Sequence, residues 1–224
     1  DPGATVAARR RVFGDPRTIY SQVGGIFGLA RVASILMDTW MRNAELNANV
    51  KVTRWHESNQ VYGFKFLVTQ IMAYLTGGPQ RYTGRPMDVA HKHLSITARQ
   101  WDHFMADADR VLESTKADPR IQQILRGILA SFRKQCVLLP GEQLGQEPGL
   151  TKPSASTAGT LYHKLGGVYA IARFVDKLVE MVLRGDPVQV ECSDAPEAIR
   201  HPPGLKYMFT ELVCRGTGGS EVVT

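Results

Sequence analysis

Cysteine is scarce in this chain of 224 residues and follows no pairing pattern. The three cysteines, Cys136, Cys192 and Cys214, are odd in number and form no Cys-x-x-Cys pair. A framework of disulfide bonds is therefore not expected, and a reducing, cytoplasmic location is favoured.

Long apolar runs and a strong excess of charge are missing as well. The most apolar stretch, residues 24–41, is interrupted by Arg31 and Asp38, so no membrane-spanning helix is predicted. Lys and Arg number 27 against 21 Asp and Glu, which gives a net charge of only +6. The one basic cluster, residues 9–11, is too short for a nucleic-acid arm and is interpreted as a solvated tail. We expect neither a membrane nor a nucleic acid as partner.

Two blocks of sequence occur twice in the same order. Residues 18–25, TIYSQVGG, return at 160–167 as TLYHKLGG, an offset of 142 residues. Residues 63–69, GFKFLVT, return at 204–210 as GLKYMFT, an offset of 141. Both copies of the second block run on to a Thr-Gly-Gly. Two ordered matches at nearly one spacing predict a tandem duplication with an incomplete second copy.

Composition divides the chain around these copies. Residues 140–159 are rich in Gly, Pro, Ser and Thr and predict a flexible linker, and residues 1–15 are interpreted as a similar tail. The first domain is then predicted to span residues 16–139 and the second copy residues 160–224. The chain opens without Met or a leader, which we interpret as a piece of a longer polypeptide.

Every periodic segment of the first copy has the spacing of a helix. Thr97 with Gln100 fits a capping box, and Asp118 before Pro119 fits a helix start. The apolar stripes at three-and-four spacing are Ile26, Leu29, Ala33, Leu36, Met37 and Trp40; Phe64, Leu67, Val68, Ile71, Met72 and Leu75; Trp101, Phe104, Met105, Ala108, Val111 and Leu112; and Ile121, Ile124, Leu125, Ile128, Phe132 and Cys136. No alternating strand pattern competes, so the sequence predicts an all-α fold.

His91 and His93 are the candidate metal-binding residues. On a helix these two positions point about 200° apart and cannot share one metal ion. The sparse Cys and His residues do not supply the four ligands of a zinc site either. One of the two could still serve as the single axial ligand of a haem iron. Taken alone, a histidine is more often a surface or core residue.

Residues 77–96, GGPQRYTGRPMDVAHKHLSI, resemble the truncated haemoglobins of group I. That family has the pattern GGP-x-x-Y-x-G-x-x-M-x-x-x-H, followed by Ile and then a helix with an aromatic-Asp pair, here Trp101-Asp102. The openings at 19–25 and 161–167 are similar to the family's start. The resemblance implies a shortened globin, a two-over-two helical sandwich that binds haem b, followed by the partial start of a second globin repeat.

The resemblance also implies a set of residues around the haem. His91 falls at the family's proximal iron ligand, and His93 would face away from the iron. Met87, Ile96, Trp101 and Phe104 match positions on the proximal side, and Tyr82 matches one near a propionate. The implied residues on the distal helices are Met37, Phe64, Val68 and Met72.

The distal positions depart from the best-known members of that family. Those members tend to carry Tyr and Gln where this chain has Met37, Phe64 and Val68. Because apolar side chains donate no hydrogen bond to bound O₂, tight O₂ binding is not expected. Ligands such as CO, fast O₂ release, or an internal sixth ligand from His56 or Lys65 remain open.

Three functions follow from this reading. The first is a haem globin that reversibly binds a diatomic gas, O₂ foremost and also NO or CO. The second is an enzyme of the NO dioxygenase type, which would need an external reductase as partner. The third is a haem-free helical scaffold.

We expect one haem per chain. The counterpart of His91 would fall at position 232, beyond Thr224, and neither His163 nor His201 is placed to replace it. The second copy would pack on a neighbouring chain, or over Trp101 and Ile128, and self-association is an implied outcome. The apolar residues that we expect to face water if it does neither are Leu165, Ile171, Phe174, Val175, Leu178, Leu212 and Val213.

Overall fold

The structure, a computed structural model, describes residues 15–58, 60–146, 158–184 and 202–219. The predicted tail up to residue 14, most of the predicted linker, Cys192 and His201 lie outside these residues.

The described residues are helical, as predicted. The α-helices are α1 (Ile19–Gln22), α2 (Gly25–Arg42), α3 (Ala44–Asn47), α4 (Val50–Glu57), α5 (Val61–Leu75), α6 (Met87–His91), α7 (Ala98–Ser114), α8 (Pro119–Ser131), α9 (Arg133–Cys136), α10 (Leu161–Lys164), α11 (Gly167–Arg184) and α12 (Pro202–Gly216). A 3₁₀ turn, Lys92–Leu94, follows α6. Within the described ranges the β-structure is one isolated bridge between Ile96 and Val137. None of the described helices is long and apolar enough to cross a membrane.

Local sequence signals set several of the helix starts. The Thr97 hydroxyl accepts from Gln100 N at 3.2 Å, and the Gln100 side chain accepts from Thr97 N at 3.1 Å, which confirms the capping box. Asp118 accepts from Arg120 N at 2.8 Å ahead of Pro119. Each cap satisfies backbone N–H groups that have no partner inside the helix.

The described residues form two compact units. The first comprises residues 15–33, 60–83, 158–184 and 202–219, and the second comprises residues 34–58 and 84–146. In the first unit α11 packs on both α5 and α12. In the second unit α7 packs on α8, and α6 packs on α9. The predicted domains, residues 16–139 and 160–224, were drawn from the sequence repeat, and their boundaries stay a prediction.

Corresponding residues of the two repeated segments have the same local geometry. Tyr20 N donates to Thr76 O at 2.9 Å, and Tyr162 N donates to Thr217 O at 2.8 Å. The glycines that open α2 and α11 also match: Gly24 has φ +87° and Gly166 has φ +89°. This left-handed backbone favours glycine, and a duplication would produce such a match.

Helix α5 is buried on more of its surface than its apolar stripe predicted. Leu75, placed in the stripe, is 43% exposed, whereas Phe66 and Gln70, outside it, are buried. The physical reason is that α11 and α12 cover a second face of α5. The predicted stripe of α2 is confirmed, since all six of its residues are buried.

Part of the apolar stripe of the second copy is buried within the chain. Ile171 and Val175, expected to face water only if the second copy had no packing partner, are 3% and 0% exposed because α11 packs on α5 and α12. Leu165, Phe174, Leu178 and Leu212 remain exposed. A helix of the first copy, α5, thus covers the buried stripe of the second copy.

Candidate functional site

His91 ends the short helix α6 and is tied to the start of that helix. Its Nδ1 lies 2.9 Å from the carbonyl oxygen of Met87, one turn earlier. Because a carbonyl can only accept, Nδ1 donates and carries the ring proton. The lone pair of Nε2 is therefore available to a metal ion, the arrangement found when the second ring nitrogen of a ligating histidine is held by a protein acceptor.

The surroundings of His91 favour a neutral imidazole. Burial lowers its pKa below the ordinary value, the hydrogen bond to Met87 raises it, and the charge of His93 lowers it further. Burial is the largest of these causes. A neutral ring is the form that binds a metal ion.

Polar side chains from outside α6 hold the backbone that follows His91. Lys51 of α4 donates to the carbonyl of His93 at 3.0 Å and to the hydroxyl of Ser95 at 2.9 Å. Asn49 donates to the carbonyl of Leu94 at 3.0 Å. Ser95 has φ +55°, so the backbone adopts the left-handed conformation at this residue.

Lys92 anchors the same segment toward the end of the first copy. Its Nζ donates to the carbonyl of Val137 at 2.6 Å and pairs with the carboxylate of Glu142. Ile96 accepts from Leu138 N at 2.9 Å. The segment that carries His91 is therefore held by residues on both sides of it in the sequence.

Three aromatic side chains stack on one another in the second unit. Phe104 of α7 stacks on Trp101, with ring centroids 4.7 Å apart, and on Trp40, with centroids 4.1 Å apart. Trp40 Nε1 also donates to the carbonyl of Phe104 at 3.1 Å. These contacts fix the orientation of two residues, Trp101 and Phe104, that the sequence assigned to the proximal side.

The predicted site residues divide between the two units. The second unit contains Met37, Met87, His91, Ile96, Trp101 and Phe104, and the first contains Phe64, Val68, Met72 and Tyr82. Met37, Met72 and Trp101 are buried, and the other seven are half-buried.

The two residues considered as internal ligands, His56 and Lys65, are both half-buried. His56 Nδ1 lies 2.7 Å from the amide oxygen of Asn47, and burial lowers the pKa of this histidine. Lys65 is half-buried on α5. Its counterpart Lys206 pairs with Asp176 at 2.5 Å.

The residues present fit a haem better than a metal ion held by the protein alone. Among the described residues no group of three or more His, Cys, Asp or Glu side chains is placed to hold an ion. A haem needs one protein ligand and an apolar surface for its faces. His91 would offer the ligand, and half-buried Met87, Ile96 and Phe104 of the same unit are apolar.

Sequence reasoning missed the residues that position the His91 segment. The sequence did not point to Asn49, Lys51 or Lys92. All three donate hydrogen bonds to backbone carbonyl groups, and because every residue has such a group, no sequence pattern identifies the acceptor. Asn49 did carry one signal, since its side chain caps α4 by accepting from Lys51 N at 3.1 Å.

One comparison with known proteins finds a family. A family model described as bacterial-like globin matches residues 18–137, more than half of the chain. A comparison with curated proteins finds no match.

Proposed function

Because the chain belongs to the bacterial-like globins, we propose that it binds haem b through His91 and reversibly binds a diatomic gas there, O₂ foremost. The observation that supports this is the bond from His91 Nδ1 to the Met87 carbonyl, 2.9 Å long, which orients the ring and leaves Nε2 for iron. Haem iron supplies the site where the gas binds.

The protein's own residues would have three tasks. His91 holds the iron through Nε2, and its low pKa keeps that nitrogen unprotonated. Lys51 and Asn49 hold the chain after His91, so the ring stays in place when the iron is liganded. Trp101 and Phe104 exclude water from the proximal side.

An absorption spectrum tests this function. The purified chain, reconstituted with haem, should show a Soret band that shifts on reduction and again on addition of CO. A chain with no Soret band would show the haem-free scaffold instead. Consumption of NO by the O₂-bound protein, in the presence of a reductant, would show the dioxygenase.

Weak retention of O₂ is the second part of the proposal. The residues assigned to the distal side, Met37, Phe64 and Val68, have no hydrogen-bond donor in their side chains. Ferrous O₂ should therefore dissociate quickly, and Met37→Tyr should slow dissociation by roughly fivefold, because a hydrogen bond contributes about 1 kcal/mol. Met37→Leu is the matched control and should leave the rate unchanged. Slow release from the unmodified protein would contradict this part.

We also propose that the second copy favours self-association of the chain. Its exposed apolar side chains include Phe174, Met181 and Leu212, which are 62%, 53% and 63% exposed. A second molecule of this chain, with the same exposed side chains, is the partner that would cover them. Sedimentation should show a mass that rises with concentration, and Phe174→Lys with Leu212→Lys should keep the chain monomeric; a parent that is monomeric at all concentrations would contradict the proposal.

A further inference from the structure

In each copy, an aromatic ring occupies the space that a Cβ atom would need on a glycine of the other copy. A Cβ on Gly63 of α5 would lie 2.3 Å from Cδ1 of Tyr169, and a Cβ on Gly204 of α12 would lie 2.1 Å from Cδ1 of Phe27. Phe27 and Tyr169 are counterparts in the repeat, and so are Gly63 and Gly204. The contact is therefore reciprocal: each copy gives one ring and receives one.

A third contact joins a residue to its own counterpart. Phe66 of α5 and Tyr207 of α12 occupy the same position of the repeat, and their rings stack with centroids 4.7 Å apart and 17° between their planes. Both side chains are buried. Equivalent residues in contact, flanked by reciprocal contacts, are the mark of an interface with two-fold symmetry, in which both sides use the same surface.

The two sides differ at the residue after the glycine. Gly63 is followed by Phe64, whereas Gly204 is followed by Leu205. The Tyr169 ring meets the Phe64 ring edge-on, with centroids 5.5 Å apart and 74° between the planes. Tyr169 thus contacts two successive residues of α5, the backbone of one and the ring of the next.

From this geometry we infer that the second copy is a module that binds the first copy within the same chain and controls its distal side, with Tyr169 as the positioning residue for Phe64. The inference rests on the proposed function, which assigns Phe64 to the distal side. The Tyr169 ring restricts the rotamers of Phe64 and holds α5 at Gly63. Its removal takes the edge-on contact away from the Phe64 ring and changes how readily a gas reaches the iron.

The symmetry of the interface provides a matched control. Tyr169→Leu and Phe27→Leu each remove an aromatic ring that packs against a glycine in the same interface. Of these two rings, that of Tyr169 contacts Phe64. In the full haem-loaded chain, Tyr169→Leu should change the CO association rate after photolysis by roughly twofold to tenfold, the range that an aromatic pair accounts for. Phe27→Leu should leave that rate unchanged.

Hydrogen exchange gives a readout that does not depend on the gas. In both the haem-free and the haem-loaded chain, Tyr169→Leu should speed the exchange of backbone amides in residues 61–75. Phe27→Leu should instead speed exchange in residues 202–216, where Gly204 receives its ring.

A third variant isolates the role of Phe64. In a Phe64→Leu background, Tyr169→Leu should have no further effect on the CO rate, because the ring that it positions is gone. Equal changes in the CO rate for Tyr169→Leu and Phe27→Leu, or no change for Tyr169→Leu, would overturn the inference. A parent chain without a Soret band would instead overturn the proposed function, and the exchange of residues 61–75 would still decide whether Tyr169 holds α5.

Discussion

Residues 18–83 and residues 160–219 have the same turns and a matching pair of long helices, yet the two segments differ in what surrounds them. Leu36 of α2 is 1% exposed, and its counterpart Leu178 of α11 is 41% exposed. Ile71 of α5 is 9% exposed, and its counterpart Leu212 of α12 is 63% exposed. Caps, glycine turns and helix lengths therefore follow from local sequence, whereas burial of the same stripe depends on the rest of the molecule.

The largest expected difference between the segments is in haem binding. His91 follows the first segment, and the described residues of the second copy hold one histidine, the exposed His163 of α10. We expect one haem per chain in the parent protein and none in His91→Ala, because the iron loses its ligand.

His93→Ala is the control, and it should keep its haem. Iron and haem measured per chain check both variants. Two haems per chain in the parent protein, or a His91→Ala variant that retains about half of the haem, would contradict this expectation. The second copy would then have an iron ligand of its own.

Truncation of the counterpart leucines should show the difference in burial directly. Leu36→Ala should lower the free energy of unfolding by about 2–5 kcal/mol, because it leaves a cavity in a close-packed region. Leu178→Ala should lower it by less than about 1 kcal/mol, because that side chain is partly in water already. Chemical denaturation of the haem-free chain measures both, and equal losses would show that the face around Leu178 is covered in solution.

The counterpart glycines should behave alike, in contrast to the leucines. Gly63→Ala and Gly204→Ala should each lower the free energy of unfolding by about 1–3 kcal/mol from the clash with a ring, with a partial offset of about 1 kcal/mol from better helix propensity. Adding Tyr169→Ala should rescue part of the loss in Gly63→Ala by removing the clash, so that the double variant loses less than the sum of the two single losses.

Phe27→Ala supplies the control for that rescue. Combined with Gly63→Ala it should only add its own loss, because it contacts the other glycine. Rescue of Gly63→Ala by both variants, or by neither, would mean that the reciprocal contacts do not form.

Ionisation of Tyr20 should lower the stability of the chain at alkaline pH. Burial raises the pKa of Tyr20 to about 12, while the hydrogen bond from Gln80 opposes the rise. Below pH 10 the phenol is neutral in both states, and above it the unfolded chain ionises first. The stability linked to Tyr20 is thus present below pH 10 and is lost as the pH approaches 12, by about 2–3 kcal/mol.

Tyr20→Phe should remove this part of the pH dependence between pH 9 and pH 12. Thermal unfolding followed over that range measures the slopes. A parent protein whose stability does not fall above pH 10 would contradict the assignment.

The helices of the first copy could be predicted from the sequence because their signals are local. The Thr97 capping box, the start at Asp118 and the stripe of α2 each depend on residues within a few turns of one another. The burial of Phe66 and Val175 could not be predicted in this way, because each depends on contact between the two copies. The pattern from Gly77 to His91 predicted the candidate iron ligand. The roles of Lys51 and Lys92 could not be predicted, because they bind backbone carbonyl oxygens, which every residue type carries.

The interface between α5 and the second copy is formed within one chain, and this changes the affinity that it needs. Eleven residues, 147–157, join the described part of the first copy to the second. A covalent connection of this length keeps the two joined parts at an effective concentration in the millimolar range. An interface with a dissociation constant near 0.1 mM would separate as two independent proteins at micromolar concentration, yet would remain mostly closed here. A single cleavage in residues 147–157 would therefore release the second copy on dilution, although the cut itself removes none of the contacts between α5 and α11.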